Sequence, residues 1–137
     1  MSNDVIWIWT IQMARWRYAK DLGLQITDIT VKSGIQAFSP TWEDLYEYRR
    51  GQIGMLEYSR RYHEKMMHSL QTDRSLWDQF LNKKDLVLGC YCPAGNFCHR
   101  YLFTNLLVSY LQQNGRTVEY KGELIPHPNN DTIYQHA

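Results

Sequence analysis

All three cysteines of the chain lie in one stretch, "GCYCPAGNFCHR", Gly89 to Arg100, beside a histidine and an arginine. Cys90 and Cys92 are two apart at the end of an apolar run, so on a strand their side chains share a face. Pro93-Ala94-Gly95-Asn96 is a turn sequence, and Cys98, His99 and Arg100 then open a helix. Backbone N–H groups at such a start favour anions and stabilise a thiolate. Arg100 adds a guanidinium fork suited to phosphate or carboxylate.

Four kinds of chemistry fit these residues. One is an anion pocket with a reactive thiol, in which Cys98 is nucleophile and His99 acid or base. A second is a zinc site from Cys92 (or Cys90), Cys98 and His99. The ligand count suits zinc, but the spacing is not that of the usual paired-cysteine knuckle. A third is a redox pair, although C-x-x-C is absent. The fourth is structural. Cysteine packs as a small apolar residue, which accounts for Cys90 and poorly for the adjacent His99-Arg100. The expectation is a ligand site without a cofactor, with zinc as the alternative.

Other residues join the first reading. Arg15, Trp16 and Arg17 start a helix, where cations oppose the dipole unless an anion sits there. Thr10 and Gln12 precede them at a strand end. Asp28 falls inside an apolar run, where a carboxylate needs a partner, and Lys32 follows it. It could be a catalytic group or half of a structural pair. Trp16 or Trp42 could stack on a flat ring.

The elements that must position these residues read as strand and helix in alternation. "VIWIWTI" is a run of β-branched and aromatic residues, the pattern of a strand buried on both faces. "QMARWRYAKDLG" is a helix stopped by Gly23, and "LQITDITVKSG" a second strand. Residues 35–54 are irregular, with Thr41 placed to cap a short helix. Two helices follow, "MLEYSRRYHEKMMHSL" with Leu56, Tyr62, Met66 and Leu70 near one face, and "TDRSLWDQFLNKK". "DLVLGCYC" is a third strand, "FCHRYLFTNLLVSYLQQNG" a long helix, and "RTVEYKG" a short last strand.

This predicts an α/β fold: a small Rossmann-like parallel sheet of about four strands, order 2-1-3-4, flanked by helices. It occupies residues 1–121, and 122–137 form a polar C-terminal tail. Ligands of such sheets bind beyond the strands' carboxyl ends, where the first and third strands send their helices to opposite faces. That puts Thr10–Arg15 beside Cys90–Arg100.

With 137 residues the chain makes one domain with a real core. A net charge of +1 counts against a nucleic-acid binder that works through bulk charge. Arg49-Arg50 and Arg60-Arg61 keep a local patch open. No run reaches the ~20 apolar residues of a membrane span. "MSNDVIWIWT" lacks the features of a signal peptide, so a cytoplasmic protein with mostly reduced cysteines is expected. The small aromatic-rich domain could pair as a homodimer.

"LVLGCYCPAGNFCHRYLFTNLL" resembles the C-terminal signature of the domain-of-unknown-function 488 family: strand, Cys, short loop, then Cys-His-Arg opening a helix. "WTIQMARWRYAKDLGLQITDITVKSG" is similar to that family's first unit. The resemblance implies an α/β fold and a site at Thr10, Asp28, Cys90, Cys98, His99 and Arg100. Cys92 stands where members tend to carry an acid, and Lys32 lies near where they tend to carry an Arg. Gln12 to Arg17 looks like a sub-branch common in bacteriophages, which implies the host cytoplasm. Expected is a protein that binds, and as an enzyme processes, a nucleotide-like phosphorylated small molecule. A non-catalytic module that sequesters a nucleotide-derived defence signal is the alternative; a zinc-binding or nucleic-acid-associated protein is a further one.

Overall fold

The unbroken apolar run at the start forms β1 (Val5–Gln12), and the computed structural model sets it in the middle of a five-stranded sheet. The structure describes residues 5–92, 97–127 and 130–135. A turn at Met13–Arg15 leads to α1 (Trp16–Asp21), then β2 (Ile26–Asp28). Next come α2 (Trp42–Arg49), α3 (Met55–Thr72) and α4 (Arg74–Asp78). β3 (Asp85–Cys90), α5 (His99–Gln113), β4 (Thr117–His127) and β5 (Asn130–Gln135) complete the chain.

The α/β class with four parallel strands is as expected. The parallel strands run β2-β3-β1-β4, so the two central strands are exchanged relative to 2-1-3-4. Both orders keep the two most apolar strands inside, so burial alone does not choose between them. β5 pairs antiparallel with β4. β4 runs on through residue 127, so the boundary expected at 121 falls inside a strand.

The sheet separates two cores. On one face Ile6, Ile8, Leu86 and Leu88 meet Tyr62 and Met66 of α3, Trp77 of α4, and Phe103 and Leu107 of α5. Each such side chain stabilises the fold by roughly 1.5–3 kcal/mol. On the other face Trp9, Ile11, Val87 and Leu124 meet Ala19 of α1. The helices that leave β1 and β3 therefore lie on opposite faces.

Several local expectations are corrected. β2 is only three residues long because Asp28 turns the chain. Its Oδ1 accepts from the Thr30 N–H at 2.9 Å, and its Oδ2 from the Ser33 hydroxyl at 2.6 Å. Gly34 is required beside it, since a Cβ there would come within 2.4 Å of the Thr30 nitrogen. The buried face of α3 is Tyr58, Tyr62, Met66 and Ser69, while Leu56 is 87% exposed. Thr41 caps α2 as expected, accepting from the Asp44 N–H at 3.0 Å.

Candidate functional site

The sheet register brings the two expected segments together, with Gln12 opposite Cys90. Thr10 and Cys90, on the α5 side of the sheet, are both buried. Beside Thr10 the parallel pairing slips by one residue. Ile8 faces Tyr120, but Thr10 faces Glu123, and Gly122 takes φ +97° in the bulge between them. Regular alternation from Val118 and Tyr120 would turn residue 122 to this face. The bulge turns Glu123 instead.

Glu123 is thereby buried against Arg100, which has no exposed surface. Arg100 Nη2 donates to Glu123 Oε2 at 3.0 Å and Nε to Oε1 at 3.3 Å. Thr10 donates to Glu123 Oε1 at 2.6 Å and lies 2.8 Å from the Tyr120 hydroxyl. The remaining guanidinium edge turns to the cysteine loop. Nη1 donates to Cys90 Sγ at 2.9 Å and to the Cys92 carbonyl at 3.0 Å. Arg100 thus faces a sulfur rather than the cleft, and Thr10 supports it from below. Sequence reasoning missed Glu123. A carboxylate following a glycine near a strand end was the one available signal.

The three cysteines converge. Cys90 ends β3, Cys98 stands just before α5, and their sulfurs are joined as a disulfide, leaving Cys92 as the free thiol. Mostly reduced cysteines were expected; this pairing leaves one of the three free. The strand end and the helix start are held side by side, so that Cys90 and Cys98, eight positions apart in the chain, come together. All three sulfurs lie within 4.8 Å of one another, a grouping that could hold a soft metal ion when reduced. That set includes Cys90 in place of the expected His99.

His99 is buried against Tyr62, ring centroids 5.6 Å apart. Its Nε2 donates to the Ile29 carbonyl at 2.6 Å, which leaves the Nδ1 lone pair free, 3.7 Å from Cys98 Sγ. Burial holds its pKa down at about 4, outweighing the Ile29 carbonyl that favours the charged ring. The ring is neutral at pH 7, with its basic nitrogen towards a sulfur. Although adjacent on the chain, Cys98 and His99 therefore meet. Cys98 has extended backbone while His99 is already helical.

A cleft opens over these groups. One hollow of about 210 Å³ is lined by Thr30, Val31, Lys32, Trp42, Leu45, Arg49, Cys90, Tyr91, Cys92 and His99. An adjoining one of about 260 Å³ shares Leu45, Arg49, Tyr91, Cys92 and His99 and adds Tyr48, Tyr58, Phe97 and Cys98. The outer wall is α2. Arg61 of α3 pins it through Asp44 at 3.1 Å and Glu47 at 3.0 Å. Tyr48 stacks on Tyr58 at 4.7 Å.

Of the expected ligand-binding residues, Lys32, Cys90 and Cys92 line this cleft. Gln12, Arg15 and Trp16 do not. Trp16 is 43% exposed at the start of α1, beneath Arg17 and Lys20. Arg15 Nη1 is buried with no hydrogen-bond partner among the described residues. Asp28 is engaged in its turn, as above. Trp42 and Arg49 come from the stretch that the sequence left irregular. Arg60 and Arg61, one half of the basic patch left open by the sequence, are both paired with Glu57, which they hold at a pKa of about 2.

A family model for DUF488-N3a, the active DUF488-N3 subclade, matches residues 2–111. The chain belongs to the DUF488 family. No curated protein and no solved structure matches this family member. The match spans β1 to α5 and so takes in Thr10, Asp28 and the whole cysteine loop, but not Glu123. No helix of the described residues is long and apolar enough to cross a membrane.

Proposed function

We propose that this DUF488 protein binds a flat, phosphorylated small molecule of nucleotide type in the cleft under α2, and processes it with Cys98 as nucleophile. One observation carries the reading: the cleft combines aromatic walls, two cations and a cysteine–histidine pair. Trp42, Tyr91, Tyr48 and Phe97 suit a ring. Lys32 and Arg49 suit phosphate oxygens. The neutral His99 accepts the proton of a reduced Cys98, and Ile29 fixes the tautomer that can do so. Compared with the sequence reading, the anion contacts pass from Arg100 and Arg15 to Lys32 and Arg49. The description of the matching family model as active favours turnover over simple sequestration.

The test uses reduced protein and a panel of nucleoside mono-, di- and triphosphates and dinucleotides, with Trp fluorescence as readout. Binding by at least one class is expected, weakened about tenfold by Arg49→Ala or Lys32→Ala. Cys98→Ser should keep binding and lose turnover. Binding that persists without turnover in the wild type identifies a sequestering module. No binding at millimolar concentration ends the nucleotide reading.

A further inference from the structure

Three sulfurs within mutual reach are more than a nucleophile needs. Cys90 and Cys98 are 1% and 2% exposed, so a solution thiol has almost no access to their bridge. Cys92 is partly exposed, lines both halves of the cleft and is the free thiol. The Arg100 guanidinium donates to Cys90 Sγ at 2.9 Å. A cation fixed on one sulfur of a bridge marks that sulfur as the one able to leave as a thiolate.

We infer that Cys92 is a thiol–disulfide exchange site, through which small thiols open the buried Cys90–Cys98 bridge. The Cys92 thiolate attacks Cys98 Sγ. The Cys92–Cys98 bond forms, the Cys90–Cys98 bond breaks, and Cys90 leaves as a thiolate onto Arg100. A small thiolate from the cleft then attacks Cys92 Sγ, forming a mixed disulfide and releasing Cys98, which takes a proton. A second small thiol completes the exchange. The bridge gains two electrons; Cys98 takes one proton, Cys90 stays a thiolate on Arg100 while the second proton goes to solvent, and the two small thiols leave as their disulfide. In a reducing compartment, bridges of this kind are transient and serve catalysis or sensing. The consequence for activity rests on the reading of Cys98 as nucleophile: the bridge masks it, and exchange at Cys92 exposes it. The exchange itself does not depend on that reading.

The experiment compares the full-length wild type with Cys92→Ser. Each is oxidised, exposed to reduced glutathione, quenched with an alkylating agent and read by intact mass and peptide mapping. The wild type should begin with the Cys90–Cys98 bridge and one alkylatable thiol, and pass through glutathione-bound Cys92. Cys92→Ser should keep the bridge but open it about tenfold more slowly or worse, since the internal thiol acts at high effective concentration. Equal rates would overturn the inference. So would three free thiols after oxidation, or zinc retained at one per chain. Nucleotide binding by the reduced protein is measured separately, so a failed ligand reading leaves the exchange result standing, and the reverse.

Discussion

Acidification should destabilise this protein through one buried ring. His99 is 5% exposed, packed on Tyr62 and bonded to the Ile29 carbonyl, and its pKa falls from 6.5 to about 4. The unfolded chain therefore takes up a proton that the folded chain refuses, and stability falls as the pH drops below 6.5. The whole shift corresponds to about 3 kcal/mol, and by pH 5 about 2 kcal/mol of it is lost. Above pH 6.5 both states are neutral at this ring and the contribution is complete. Glu57, with a pKa of about 2, titrates below this window, so the interval from pH 7 to 5 isolates His99 from it. The assay is urea denaturation at pH 7, 6 and 5 on the wild type and on His99→Gln, whose amide can still donate to Ile29. The wild type should lose about 2 kcal/mol more than the variant across that range. Parallel losses would show that His99 is not the buried neutral base described above.

Two further substitutions probe the support beneath the cysteines. Glu123→Gln keeps the shape but leaves the Arg100 charge buried without its counterion, and should cost about 3–5 kcal/mol in denaturant melts; a loss below about 1 kcal/mol would mean that Arg100 is not held as described. Gly122→Ala puts a Cβ on a backbone at φ +97° and should cost about 1–3 kcal/mol, seen as a lower Tm.

The frame of the site was legible because it rests on patterns of composition. The apolar runs at Val5 and Asp85 declare buried strands, and their carboxyl ends declare where a ligand site forms. What escaped the reading depends on a single residue or a single partner. Asp28 looked like a lone acid in a strand, but its own carboxylate ends the strand at that point. Glu123 was assigned to a tail because the stretch after it is polar and bears prolines, and its place beside Thr10 depends on the bulge at Gly122. Trp42 and Arg49 reach the cleft because Arg61 ties α2 to α3, a pairing without a sequence period. Leu56 stands about 120° from Tyr62 around α3, at 3.6 residues per turn, so it falls off the buried face of Tyr58, Tyr62, Met66 and Ser69.

The bulge also sets an order of events during synthesis. Every cysteine, His99 and Arg100 leave the ribosome before Glu123, and a domain folds as a unit. Until β4 arrives beside β1, Arg100 has no carboxylate to neutralise it, and closing the core over it is unfavourable. In the nascent chain the sulfurs are therefore expected to close up only with β4. Its thiols stay accessible to the surrounding redox pool, and they are sealed only when one late residue docks.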